Sequence, residues 1–260
     1  MVPNASEHGA LVDHLLEVCH WFMLVLFVGW LAFFLYSIIR FHRTRNPRAN
    51  YYGVQSKAAT HLELCVILVE AILLLGFGLP LWANRVTEES FPDKNEALRV
   101  RAVGEQFAWN FHYTGPDNVF GRQDAHLVTS NNPLGLDPND PAGKDDIVSK
   151  NELHLVNFKP TVIEVSSKDV IHSLSLHHMR ITQDATPGSQ VPVWFRPKVE
   201  GSYEIVCAQL CGAGHFAMKA MMLVEGPKAW DAWYDETVKL QHPATAAPAP
   251  SAGNNPAAAQ

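Results

Sequence analysis

Two long apolar runs near the start of the chain limit what it can fold into more than any other feature. Residues 19–39 hold no Asp, Glu, Lys or Arg, and residues 64–83 hold only Glu70. As helices rising about 1.5 Å per residue, runs of 21 and 20 residues each cross about 30 Å of hydrocarbon. A buried core helix is the competing reading of any such run. Trp21, Trp30, Tyr36 and Trp82 lie near the run ends or within a turn or two of them, as in an aromatic belt, and favour the bilayer. Arg40, Arg43, Arg45 and Arg48 follow the first run, while Glu7, Asp13 and Glu17 precede it. A cleaved signal peptide has a basic start and a shorter core, so this run is expected to stay in the mature chain. Residues 40–61, between the runs, have five Lys and Arg and no acid, which places this loop in the cytoplasm. The expected hairpin has helices at about 19–41 and 62–83, a cytoplasmic loop 42–61 and an outer segment 1–18.

The mean hydropathy of −0.04 averages two unlike halves. Residues 1–84 are formally neutral, so residues 85–260 carry the whole net charge of −6. An acidic outer domain repels nucleic acid and suits a basic partner. From residue 97 short segments rich in Val, Ile, Phe and Tyr recur, at 97–103, 106–113, 152–158, 161–166, 169–176, 191–196, 202–207 and 219–225. Gly, Pro, Asn and Asp clusters separate them, which is the pattern of an antiparallel sandwich or barrel. Residues 131–146 read as a long surface loop. Pro227 opens an expected helix to residue 239, with Trp230, Trp233 and Tyr234 at helical spacing. The domain is expected to span 85–240, followed by an Ala/Pro tail over 241–260 with no periodicity.

Cys207, Cys211, His215 and Met218 fall within twelve residues between two strand-like segments. Thiolate and thioether donors select soft ions such as copper(I), and imidazole also suits copper. In a strand alternate side chains share a face, so Cys207 points with Tyr203 and Ile205, and His172 points with Leu174 and Leu176. A histidine on an apolar face is usually a satisfied core residue, but this cluster lacks one imidazole. A zinc site of two Cys and two His has no use for Met218, and its histidines usually lie three to five residues apart. A blue-copper site leaves one thiol over. Covalent haem needs Cys-x-x-Cys-His, which is absent. A Cys207–Cys211 disulfide leaves His215 and Met218 without a role. A pair of coppers sharing two bridging thiolates uses every donor, with Met218 and a loop carbonyl as weak axial ligands. Such a closed site suits electron transfer, because it keeps no open position for a substrate.

Two helices followed by an acidic β domain with this ligand loop resemble subunit II of the haem-copper cytochrome c oxidases over about residues 15–240. Asp169-Val-Ile-His172-Ser173 resembles the family's first-ligand motif. Cys207-x-x-x-Cys211-x-x-x-His215-x-x-Met218 has the spacing of its dinuclear CuA site, and Gly104-x-Gln106-x-x-Trp109 resembles its aromatic segment. The resemblance implies a cupredoxin-like β-barrel, terminal ligands His172 and His215, bridging Cys207 and Cys211, a carbonyl ligand from Gln209 and an axial Met218. Met221 and Met222 are read as barrel core, and His177 and His178 as surface residues. Gln209 stands where the family often has a Glu that helps hold magnesium at the contact with subunit I, which puts that magnesium in question. Phe107 stands where the family usually has a Trp at the electron-input surface. Strand parity puts Phe107 and Trp109 on one face, so both are candidates for that surface.

The implied function is the electron-input subunit of a respiratory terminal oxidase, fed by a cytochrome c-type donor and passing electrons to the haems of subunit I. The chain alone lacks the many-helix, histidine-rich core that oxygen chemistry needs. The implied location is the cell (inner) membrane, with both termini periplasmic. Glu63 matches, by its distance to Leu79-Pro80, a family Glu near the entrance of a proton path. Its plain reading is a solvated helix end. Glu70 lies mid-run, where an isolated charge is expensive, and is expected to be neutral or to face a partner helix. A nitric oxide reductase with the same copper module, and a membrane-tethered copper carrier, are the competing functions.

Overall fold

The structure is a computed structural model that describes residues 2–48, 51–53 and 56–242. It divides into a helical unit, His8–Ser90, and a β unit formed by residues 91–260 together with residues 1–7.

In the helical unit, α1 runs from Gly9 to Arg40. It begins ten residues before the apolar run, because Ala10, Leu11, Val12, Leu15 and Leu16 extend the helix-forming pattern upstream. The second crossing, Ala58–Val86, comprises α2 (Ala58–Ile72), a π-helical segment (Leu73–Gly78) and α3 (Leu79–Val86). Pro80 explains the break: it has no N–H, and its ring crowds the carbonyl one turn back, so the wider turn before it takes up the mismatch. Both crossings are long and apolar enough to span a bilayer. Glu63 and Glu70 both lie on α2, and Glu70 stands three residues before the π segment.

The β unit is built from two five-stranded sheets, with orders β3-β2-β1-β5-β8 and β4-β10-β9-β6-β7. The strands are β1 (Leu98–Glu105), β2 (Ala108–Tyr113), β3 (Ile147–Lys150), β4 (Glu152–Val156), β5 (Thr161–Ser167), β6 (His172–Leu176), β7 (Ile181–Ala185), β8 (Val191–Phe195), β9 (Gly201–Cys207) and β10 (Lys219–Glu225). The β1–β5 and β4–β10 pairs are parallel and the rest antiparallel, a mixed sandwich of the cupredoxin-like kind. Trp109, Phe111, Tyr113, Leu155, Ile163, Leu174, Phe195, Ile205 and Met222 are fully buried in its core.

Eight strands follow from the sequence pattern, and two do not. Both missed strands, β3 and β7, are sheet edges. β3 has four residues, and β7 is the half-polar Ile-Thr-Gln-Asp-Ala, so neither carries the apolar alternation that marks a strand. The 106–113 segment is also divided: Gln106 and Phe107 form the turn from β1, and β2 starts at Ala108.

The helix α4 spans Pro227–Gln241, two residues beyond its expected end. Its Trp233 ring stacks on His154 at 3.8 Å and 9°. The tail expected from 241 lies outside the described residues from 243 onward. The chain's first residues join the β unit: Ala5 N–H donates to the His178 carbonyl, Lys198 N–H to Ala5 and Glu7 N–H to Arg196, at 2.8–3.0 Å.

Residues 131–146 form the expected loop, broken by a short 3-10 turn at Pro141–Gly143 and an isolated bridge from Leu136 to Gln123. Asp146 anchors it and is itself buried, which removes it from the acidic surface that the composition implies. Its carboxylate accepts from His112 Nε2 at 2.6 Å, Gly121 N–H at 2.7 Å and Gly115 N–H at 3.2 Å. Asp146→Ala leaves a buried imidazole and two N–H groups without their acceptor. It should destabilise the β unit by about 3 kcal/mol or more, with Asp146→Asn milder, as read by denaturant unfolding.

Candidate metal centre

Three strand ends converge at one end of the second sheet, on its interior strands. His172 opens β6, Cys207 closes β9, and Lys219 opens β10 immediately after Met218. The β6–β9 ladder pairs Leu174 with Cys207, which fixes His172 beside the thiol. Cys207 N–H donates to the Met218 carbonyl at 3.2 Å and closes the base of the 208–218 loop. A turn at His215–Ala217 then folds the imidazole back toward Cys211.

The six expected donors come together. Cys207 Sγ stands 3.8 Å from Cys211 Sγ, 3.9 Å from His172 Nδ1 and 3.2 Å from the Gln209 carbonyl oxygen. Cys211 Sγ stands 3.6 Å from His215 Nδ1 and 3.7 Å from Met218 Sδ. Two ligands at about 2.0–2.3 Å from one first-row metal, at a tetrahedral angle, lie about 3.3–3.8 Å apart. The sulfur–sulfur, Cys211–His215 and Cys211–Met218 spacings fall in that range, and the two from Cys207 to His172 and Gln209 lie just outside it. Both cysteines are free thiols, and His172, Cys207 and Cys211 alone already make a compact metal-holding group. His172, Cys207, Cys211 and Met218 are at most 7% exposed, whereas His215 is half-buried.

Asp169 backs the first histidine. Its Oδ1 accepts from His172 Nε2 at 2.8 Å, which orients the ring with Nδ1 turned toward Cys207. Burial raises the Asp169 pKa, but hydrogen bonds from His172, Gln106 N–H and Val170 N–H outweigh it and hold the carboxyl below its usual value. Gly104 makes room for the ring, since a Cβ there would stand 2.8 Å from His172 Cδ2. Asp169 and Gln106 had no assigned role in the sequence beyond membership of two motifs. The i, i+3 spacing of Asp169 and His172 was the one available signal.

Three expectations change. Trp109 is fully buried, with its ring edge-on to His172 at 6.0 Å, and is not part of any electron-input surface. The turn at residues 106–107 breaks the parity that put it with Phe107. Phe107 is 40% exposed and lies against Gly212 and Gly214 of the ligand loop, where a Cβ on either would run into its ring. Met222 is core as expected, but Met221 points outward, because adjacent strand residues face opposite sides. His177 is exposed, while His178 is half-buried, with Nδ1 2.9 Å from the Pro3 carbonyl and its ring beside Tyr203.

Fold and donor set together define a membrane-anchored, cupredoxin-like metal-binding protein. The profile of the family described as cytochrome C oxidase subunit II, periplasmic domain, matches residues 98–225. The chain is 31% identical over 235 residues to the alternative cytochrome c oxidase subunit 2 of Bradyrhizobium diazoefficiens, covering 90% of this chain and 82% of that protein. It is 27% identical over 239 residues to cytochrome c oxidase subunit 2 of Cereibacter sphaeroides, covering 84% and 75%. Among solved structures, the periplasmic domain of subunit II of the Bradyrhizobium japonicum cytochrome oxidase matches with a TM-score of 0.42 and 25% identity, over 57% of this chain and 97% of that one. The chain belongs to the cytochrome c oxidase subunit II family, a membrane-bound family, and His172, Cys207 and Cys211 form its candidate copper site.

Burial, then the neighbouring Cys207 thiol, pushes the Cys211 thiol up from an ordinary 9.0 to about 11. In the metal-free chain Cys211 should stay a neutral thiol until the pH nears 11. The unfolded thiol loses its proton first, so the metal-free fold should lose stability as pH rises from 9.0 to about 11. Thiolate absorbance titrated with and without Cys211→Ser reads this step. A Cys211 step at 9.0 or below contradicts the burial.

Proposed function

We propose that this chain is the electron-input subunit of a respiratory terminal oxidase, and that its copper site is a dinuclear CuA centre held by His172, Cys207, the Gln209 carbonyl, Cys211, His215 and Met218. The observation that carries this reading is the pair of buried thiols 3.8 Å apart, each flanked by an imidazole and a second, weaker donor. When bound, a copper pair between two thiolates takes up and gives back one electron with little rearrangement of its ligands. The chain's own part is to hold those ligands rigid and dry. The Asp169 carboxylate orients the His172 ring, the buried core excludes water from the thiols, and the base of the loop is tied to β9 and β6. A copper carrier needs open donors for transfer, and four of these side chains are almost wholly buried. Family membership likewise favours an oxidase over a nitric oxide reductase.

The partners in this reading are the other subunits of a haem-copper oxidase, subunit I foremost, and a cytochrome c-type donor. Leu210 and Phe216, 80% and 90% exposed beside the half-buried His215, give the ligand loop an apolar contact surface for a redox partner. Phe107 is the aromatic that covers the loop from the opposite strand turn. The chain sits in the inner membrane with the basic loop in the cytoplasm and both termini in the periplasm. The bonds from residues 5–7 to the β unit support this, since an even number of crossings returns the chain to the side on which it began. Glu63, near the start of α2 and next to the basic loop, is assigned to the mouth of a proton path of the complex. Gln209 offers no carboxylate, and no magnesium is assigned to it.

Cys207→Ser and Cys211→Ser should each abolish the spin-resonance signal of an electron shared over two coppers, because a hydroxyl does not bridge as a thiolate does. Met218→Leu should keep that signal and change mainly the potential, since an axial thioether tunes more than it holds. A parent-like spectrum in either serine variant contradicts the dinuclear assignment.

A further inference from the structure

Beyond Cys207 the ligand loop leaves its own sheet. The β6–β9 ladder ends at Leu174↔Cys207, four residues short of Cys211, so ladder bonds do not hold the second thiol. The Cys211 backbone is gripped from the other sheet. Gln106, in the turn between β1 and β2, donates from side-chain Nε2 to the Cys211 carbonyl at 2.6 Å. Its backbone N–H donates to Asp169 Oδ2 at 2.8 Å. The other oxygen of Asp169 accepts from His172 Nε2 at 2.8 Å and from Val170 N–H at 2.7 Å. One residue thus bonds to both ligand segments, residues 169–172 and the 208–218 loop. The loop is shaped for this approach. Gly212 has a φ of +136°, and a Cβ there would stand 2.7 Å from Gln106 Nε2.

We propose that Gln106 is the positioning residue that sets the distance between the His172–Cys207 side and the Cys211 side of the copper centre. Its two arms act separately. The backbone arm orients Asp169, and through it the His172 ring, and survives replacement by any residue but proline. The amide arm holds the Cys211 carbonyl, and with it the second sulfur, against the first sheet. Loss of the amide arm lets the Cys211 turn drift relative to Cys207 while His172 stays in place. Unequal distances from the two sulfurs would then replace a symmetric bridge. This inference rests on the copper-pair reading of the site.

The test uses the full chain in detergent, with Gln106→Met to keep length and volume while removing the donor. Gln106→Glu is the second variant, and sets a carboxylate against the Cys211 carbonyl. Copper affinity is read by competition with a chelator, electron sharing by spin resonance, the midpoint potential by redox titration, and fold integrity by thermal unfolding of the metal-free chain. We expect both variants to lose about 10-fold or more in copper affinity. The signal should shift toward an electron held unequally by the two coppers, and the metal-free unfolding temperature should stay near that of the parent. Parent-like affinity, potential and spectrum in either folded variant overturns the proposal. So does a lowered metal-free unfolding temperature with an unchanged spectrum, which would make Gln106 a merely structural residue. A parent chain that takes up no copper overturns the reading of the site itself, and this inference with it.

Discussion

Two thiols held face to face in a dry pocket are the constraint on which the rest of this structure depends. Neutral buried thiols gain little from each other, and burial raises the Cys211 pKa because the protein alone accommodates that thiolate poorly. Only a bound cation makes two thiolates at that spacing favourable. The fold therefore has to hold an arrangement that its own energetics do not favour. It does so with backbone register: β9 and β10 bring the two ends of the loop together, and β6, whose Leu174 pairs with Cys207, delivers His172 beside that thiol.

The sandwich places its core residues under this site rather than around a substrate cavity. Trp109 lies edge-on to His172, and Leu174, paired with Cys207, and Ile205, two residues before it on β9, are fully buried. A stiff, apolar floor suits one-electron transfer, where ligand movement adds to the barrier. The outer face differs, with Leu210 and Phe216 exposed and His215 half-buried. Many of the acids that give the β domain its charge serve the loops instead: Asp117, Asp124, Asp137 and Asp140 each accept a backbone N–H within their own turns, and Asp146 is buried with His112.

Much of this was legible in the residues. The two crossings follow from apolar length, and the donor set from spacing that no single-metal site uses fully. Eight strands follow from alternation. What escaped was decided by contacts distant in sequence. The edge strands β3 and β7 are defined by pairing with β2 and β6, not by their own composition. Trp109 left the surface because a turn fell two residues later than the periodicity placed it. Asp169 and Gln106 matter through bonds that reach from one loop to another, 63 and 105 residues apart along the chain for the two arms of Gln106. A pattern read along one strand does not contain such a bond.

The account stands or falls on what the paired thiols hold. The direct measurement is the metal content of the full-length chain purified from membranes, taken together with its spin-resonance spectrum. The geometry predicts two coppers per chain and one unpaired electron split equally by both nuclei. A single copper with a localised signal, or zinc in place of copper, would contradict it.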